Sequence, residues 1–226
     1  MKFTQRSYEK ELLDGTDIPF AAIKQNMQEL NTINTLLGGH AITIKGFRQL
    51  ATDNHCHICE IGCGGGDNLL AIAKASKLPL QLTGIDLNAS CIEVAANTLK
   101  NYQTELIVSD YKAVQWQQAP PDIIFSSLFC HHFTDKEMVS QLQWMQQHCR
   151  KGFFINDLHR HWLAYYSIKW LTALFSKSYL VKNDAPLSVR RGFRRNEWKA
   201  LLEQAGIKNY AIQWKWAFRW LIIVHK

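Results

Sequence analysis

The segment His57-Ile58-Cys59-Glu60-Ile61, followed by Gly62-Cys63-Gly64-Gly65-Gly66, restricts the fold of this chain more than any other. A short apolar run enters alternating glycines and leaves through Leu69, Leu70, Ile72 and Ala73 at helical spacing. That pattern reads as strand, tight turn and helix. The alternation then repeats. Leu80 to Asp86 reads as a second strand and Asn88 to Leu99 as a helix. Glu105 to Val108 and Asp122 to Ser127 read as strands three and four. Thr134 is placed to cap a helix running to Cys149, and Phe153 to Asn156 is a fifth strand. Short apolar strands separated by helices require a parallel sheet covered on both faces, an α/β fold.

The flanks read differently. Asp17 and Pro19 suit a helix start, and Phe20, Ile23, Met27, Leu30 and Ile33 follow near helical spacing until Gly38-Gly39. A second short helix is expected over Ile42 to Leu50, so residues 1–50 are expected to form an N-terminal helical cap on a domain spanning 51–226. Beyond Asp157, His161 to Phe175 reads as an aromatic-rich helix, with Trp162, Tyr166, Trp170 and Leu174 on one buried face. Residues 176–195 read as a long loop, and 158–195 as an insertion on the acceptor side. Asn196 is expected to cap a helix ending at Gly206. Tyr210 to Trp214 and Arg219 to His225 are close enough in sequence to pair as antiparallel strands.

Composition narrows the function classes. The 226 residues contain no apolar run of transmembrane length, and the N-terminus lacks the apolar stretch of a secretion signal. Six cysteines lie in apolar stretches, as in a reducing compartment, and a cytoplasmic location is expected. Cys56, Cys59 and Cys63 have no second ligand pair at zinc spacing, so no metal is expected. Charge is uneven: residues 1–150 hold 12 Lys/Arg against 15 Asp/Glu, whereas residues 151–226 hold 14 against 4. A basic third suggests an anionic partner or a solvated basic face.

The glycine loop lacks the last glycine of the dinucleotide pattern. Counted from Gly62 that position is Asp67, and from Gly64 it is Leu69. Acidic residues end the strands instead: Glu60 just before the loop, Asp86 after the second strand, and Asp110 after the third. A carboxylate at the end of the second strand can grip a ribose diol. Three such residues suit a cofactor with an amino-acid part, a ribose and a base, but no pyrophosphate.

In order and spacing, Glu60-Ile61-Gly62-Cys63-Gly64-Gly65-Gly66, Gly84-Ile85-Asp86-Leu87-Asn88, Ser109-Asp110-Tyr111 and Pro121-Asp122-Ile123-Ile124-Phe125-Ser126-Ser127 resemble the class I S-adenosylmethionine-dependent methyltransferases. The resemblance spans residues 57 to about 157. It implies a Rossmann-like seven-stranded sheet with the last strand antiparallel, and S-adenosyl-L-methionine as cofactor. It implies Gly62, Gly64 and Gly66 beneath the methionine part, Asp86 on the ribose and Asp110 near the adenine, with Glu60, Leu87, Tyr111 and Ser127 as neighbouring cofactor residues. Cys130-His131-His132-Phe133 and Asn156-Asp157-Leu158-His159-Arg160-His161 resemble a narrower bacterial group found beside polyketide biosynthesis enzymes, which methylates hydroxyls of small natural products.

Methyl transfer from a sulfonium is an in-line displacement in which the protein positions an acceptor lone pair. A hydroxyl acceptor must also lose a proton, and a base contributes about 10²–10⁴-fold. His131 and His132 follow the carboxyl end of the fourth strand, where open parallel sheets bind ligands, and are the candidate bases, His132 slightly preferred. Both also fit a purely structural role. His159, Tyr165 and Arg190 are the candidate acceptor-binding residues. The expected reaction is O-methylation of a small aromatic or polyketide-like metabolite.

A nucleic-acid methyltransferase using the basic C-terminal third is the alternative. Against it, the fourth strand runs into Ser127-Leu128-Phe129, without an Asn/Asp-Pro-Pro-aromatic or Pro-Cys motif. A non-catalytic cofactor-binding module is a third reading, which the intact loop and all three acidic strand ends oppose. Trp162, Trp170, Trp214, Trp216 and Trp220, set among Lys and Arg, allow peripheral membrane contact, but core packing is the use expected of most of them.

Overall fold

The structure, a computed structural model, describes residues 3–15, 17–52, 55–116 and 119–226. The helices are α1 (Phe20–Leu36), α2 (Gly39–Leu50), α3 (Asp67–Ala75), α4 (Ala89–Thr98), α5 (Asp135–His148), α6 (Trp162–Phe175), α7 (Tyr179–Arg191) and α8 (Arg195–Gln204). The strands are β1 (Cys56–Ile61), β2 (Leu80–Asp86), β3 (Thr104–Val108), β4 (Ile123–Ser127), β5 (Gly152–Leu158), β6 (Tyr210–Lys215) and β7 (Arg219–His225). Among the described residues they form one seven-stranded sheet, ordered β3-β2-β1-β4-β5-β7-β6. The first five strands run parallel, and β7 is antiparallel to both β5 and β6. The expected α/β architecture is therefore present.

The central strands are buried on both faces, which explains their unbroken apolar runs. On one face, Ile42, Phe47 and Leu50 of α2 pack with Ile58, Phe125, Phe154 and Ile223 of the sheet. Gly46 makes this approach possible, since a Cβ there would lie 2.5 Å from the Phe154 ring. On the other face, Met138, Leu142 and Met145 of α5 and Trp198, Leu201 and Leu202 of α8 cover Ile124, Phe153 and Ile155. With β1 to β5 parallel, Gly62, Asp86, Ser109, Ser127 and Asp157 all gather at the carboxyl edge.

The flanking elements depart from expectation. Residues 179–191 are helix α7, not loop. Ser178 caps it by accepting from the Val181 amide, and Pro186 sits inside it. Its buried side includes Asp184, Ser188 and Arg191, so no apolar stripe marks it in the sequence. The Asp184 carboxylate accepts from the Leu12 and Leu13 amides at 2.8 and 3.0 Å, drawing the N-terminal segment across the carboxyl edge. Helix α1 starts after Pro19 without a side-chain cap, so Asp17 does not cap it. Helix α8 is capped by Arg194 with Glu197, not by Asn196. On α6 the expected burial is reversed: Trp162, Tyr166, Trp170 and Leu174 are 55%, 42%, 67% and 72% exposed. Trp220 is buried, but Trp214 and Trp216 are exposed.

Candidate active site

The glycine loop is shaped by contacts that only glycine permits. Gly62 has φ of 67°, and a Cβ there would lie 2.3 Å from the Phe129 ring. The Gly64 amide donates to Asp86 Oδ2 at 2.9 Å, tying the loop to the end of β2. The other Asp86 oxygen accepts from the Asn88 amide at 2.9 Å. Burial pushes the Asp86 carboxyl up, while these amides act in the opposite direction.

A cavity of about 1410 Å³ lies above this edge. Single-ligand pockets span about 300–1,000 Å³, so it has room for a cofactor and an acceptor together. Gly62, Gly64, Asp86, Leu87, Asp110, Tyr111 and Ser127 line it, as do His131 and His132. Two cofactor candidates lie elsewhere. Gly66 is left-handed at the start of α3 and packs against Ala95 and Leu99. Glu60 is fully buried and accepts from Asn68 Nδ2 at 3.1 Å. Burial and the charges of Asp67 and Asp86 push its carboxyl well above the usual range, and Glu60 lies beneath the cavity rather than in its wall. Asn26 and Tyr111 also line the cavity, and their buried Oδ1 and Oη have no hydrogen-bond partner. Together with two acidic strand ends and a backbone loop, these donors and acceptors fit an S-adenosyl cofactor.

The short turn after β4 presents His131 and His132, and the N-terminal segment brings Glu11 and Asp14 against them. His131 is 3% exposed. Its Nδ1 lies 2.8 Å from Asp157 Oδ1, and its Nε2 lies 3.5 Å from Glu11 Oε1. Burial alone would lower its pKa, but the charge and hydrogen bond of Asp157, and then Glu11, raise it to about 9. His131 is thus an imidazolium at neutral pH, held between two carboxylates. Burial disfavours the charged forms of Asp157 and Glu11, yet both are held below their ordinary values, chiefly by His131.

His132 is arranged differently. Its Nδ1 lies 3.1 Å from Asp14 Oδ1, while its Nε2 stands 3.7 Å from Glu11 Oε2, beyond hydrogen-bond length. A tautomer that donates from Nδ1 to Asp14 carries its lone pair on Nε2, which lines the cavity beside Glu11. Arg191 fixes the turn by donating to the His131 and His132 carbonyls at 3.0 and 2.8 Å. Arg6 donates to the Phe133 carbonyl at 2.8 Å and to Asp135 at 2.6 Å.

Glu11, His131 and His132 are also the one group among the described residues with metal-ligand spacing, within 4.8 Å of one another. An ion there would first have to displace the His131 proton, so the ion-paired form is the resting state. All six cysteines are buried.

The three acceptor candidates lie outside the cavity. His159 faces a separate shallow pocket with Arg194 and Arg195, where burial and nearby cations lower its pKa to about 4. Tyr165 is buried against Phe3 and Val189. Arg190 pairs with Glu9 at 3.2 Å. Leu163, Ser167 and Leu171 of α6, with Phe218, form the acceptor-side wall instead. Sequence reading missed Glu11 and Asp14 as site residues, offered Arg191 to an acidic acceptor where it instead holds the histidine turn, and left Asp157 without a role. No local motif marks them, because they meet only in the fold.

Residues 58–152 match the family model of the methyltransferase domain. No curated protein matches the chain in sequence. The chain is similar in fold to solved structures at low identity. The plantazolicin methyltransferase BpumL, in complex with a triazolic desmethylPZN analog and SAH, is 19% identical over 91% of each chain, with a TM-score of 0.66. A SAM dependent methyltransferase from Aquifex aeolicus is 14% identical over 89% of this chain and 97% of that one, with a TM-score of 0.64. Magnesium protoporphyrin IX methyltransferase (ChlM) from Synechocystis PCC 6803, with bound SAH, is 11% identical over 94% and 90%, with a TM-score of 0.53. With the strand order and glycine loop above, these matches make residues 58–152 a methyltransferase domain, within a chain that has the class I S-adenosylmethionine-dependent methyltransferase fold.

Proposed function

We propose that the protein transfers the methyl group of S-adenosyl-L-methionine to a hydroxyl of a small aromatic or polyketide-like acceptor, with His132 as the base. The observation that carries this reading is the single cavity shared by the glycine loop with Asp86 and by His132, whose Nε2 stands 3.7 Å from Glu11 Oε2, beyond hydrogen-bond length. The cofactor supplies an electrophilic methyl on a positively charged sulfur. Asp86 and Asp110 are placed to hold the ribose and adenine, and Leu87 to pack beside them. The apolar wall of Leu163, Leu171 and Phe218 suits an aromatic or aliphatic acceptor body. With the cofactor bound, His132 Nε2 would take the proton of the acceptor hydroxyl as that oxygen receives the methyl group. Asp14 orients the imidazole and stabilises the imidazolium that forms, as a buried carboxylate does in other His–Asp pairs.

The nucleic-acid alternative loses part of its support. Arg160, Arg191 and Arg219 of the basic third are 1%, 4% and 3% exposed and are engaged within the protein. They form no outward phosphate-binding track.

The test is His132→Asn assayed on phenolic and polyketide-like hydroxyls. Turnover should fall about a hundredfold or more, with unchanged cofactor affinity by calorimetry, and recover as pH rises and the acceptor ionises unaided. Full turnover at every pH would remove His132 from the chemistry. Methylation of RNA but of no small hydroxyl would overturn the substrate class.

A further inference from the structure

The exposed side of α6 has no cover within the chain. Trp162, Tyr166, Trp170 and Leu174 recur every four residues and form one ridge along the helix, about 18 Å long at 1.5 Å per residue. Phe175 extends it at 78% exposure. The β6–β7 hairpin continues the surface: His161, which precedes Trp162, stacks on Phe218 with ring centres 4.9 Å apart, and Phe218 meets Trp214 edge-on. Trp216 at the hairpin turn is 72% exposed. An apolar ridge of this size on a folded chain marks an interaction surface.

The charges around the ridge identify its partner. Between residues 158 and 183 the sequence has no Asp or Glu, while Lys169, Lys177 and Lys182 are exposed. The neighbouring carboxylates are engaged: Asp184 holds the Leu12 and Leu13 amides, and Glu29 accepts from the Ser176 hydroxyl and from the Lys177 and Ser178 amides. On the hairpin side, Lys215 lies against Lys45. A second copy docked symmetrically on this face would set lysines against lysines with no free carboxylate to pair them. An anionic bilayer satisfies both features, taking the aromatic and aliphatic groups at the headgroup boundary and the ammonium groups at its phosphates.

We propose that the protein docks on anionic lipid membranes through the exposed ridge of α6 and the β6–β7 hairpin. Among the described residues no helix is long and apolar enough to cross a membrane, so the contact is peripheral. Leu163 and Leu171 of α6 and Trp216 of the hairpin also line the cavity, so its mouth borders the docked face. Entry of a lipophilic acceptor directly from the bilayer follows from this placement and rests on the methyl-transfer reading above.

The test is co-sedimentation with vesicles of phosphatidylcholine alone or mixed with phosphatidylglycerol, at low and high salt. Binding should require phosphatidylglycerol and weaken with salt. The double variant Trp170→Ser, Leu174→Ser should bind about tenfold less or weaker still, as should Lys169→Glu, Lys177→Glu, since each lysine near an anionic surface contributes several-fold. All four positions are exposed, so unfolding temperatures should match the wild type. No binding to phosphatidylglycerol vesicles, or binding unchanged in both variants, would overturn the proposal. So would a wild-type dimer in light scattering that Trp170→Ser, Leu174→Ser converts to monomer, because a second copy would then cover the ridge. Calorimetry of S-adenosylhomocysteine binding in lipid-free buffer reads the methyltransferase assignment separately.

Discussion

Replacing Asp157 by Asn isolates the electrostatics of the buried histidine. Asp157 Oδ1 faces His131 Nδ1 at 2.8 Å, and Oδ2 accepts from the His131 amide at 3.1 Å. The asparagine keeps the shape, loses the charge, and offers an NH₂ where the amide needs an acceptor. His131 titrates at about 9, against about 6.5 for an unperturbed histidine. At about 1.4 kcal/mol per pH unit, the raised pKa corresponds to about 3 kcal/mol net of the burial penalty, shared between Asp157 and Glu11. The sign follows from a raised pKa. This stability is complete below about pH 6.5 and is lost as pH rises through about 9. Urea unfolding of wild type and Asp157→Asn should therefore differ most near pH 6 and converge near pH 10. In a chain of this size about 3 kcal/mol corresponds to a drop of roughly 6–12 °C in melting temperature. A gap of the same size at pH 6 and pH 10 would show that His131 is not charged in the folded protein.

Three further outcomes follow from the same geometry. Asp86→Ala removes the acceptor for the Gly64 and Asn88 amides and the expected ribose contact, and should weaken S-adenosylhomocysteine binding by roughly ten- to a hundredfold in calorimetry. Gly62→Ala drives a methyl into the Phe129 ring at a φ of 67° and should cost about 2–5 kcal/mol, read as a lower urea midpoint. A chelator should leave turnover unchanged, because both ring nitrogens of His131 face carboxylates, Asp157 and Glu11; loss of activity that zinc or another divalent ion restores would contradict this.

The parallel sheet was legible because both of its covers are apolar, so each central strand is an unbroken apolar run next to a turn or helix signal. Periodicity misled where it conveys spacing but not surroundings. Trp162, Tyr166, Trp170 and Leu174 have the spacing of a buried stripe, yet that stripe faces outward. Helix α7 hid for the opposite reason: its packed side holds Asp184, Ser188 and Arg191, which grip another segment through hydrogen bonds. Adjacent residues can also diverge completely, as Arg190 turns to Glu9 at the surface while Arg191 is buried under the histidine turn. Glycines and acidic strand ends were readable because backbone geometry fixes them locally. Glu11 and Asp14 stand more than a hundred residues from the histidines they orient, and only the folded chain brings them together.

The segment of residues 3–15 that carries Glu11 and Asp14 is fastened by side chains of α7 and by its own Arg6, and it contributes almost nothing to the sheet core. Donor recognition and proton handling therefore reside on physically separate parts of the molecule. A fault in this strip, such as a bulky N-terminal fusion or a cut before Gly15, would leave a protein that folds and takes up the donor yet no longer orients His132. Saturation with S-adenosylhomocysteine is thus no measure of competence, and preparations judged by ligand uptake alone would count silent molecules as active.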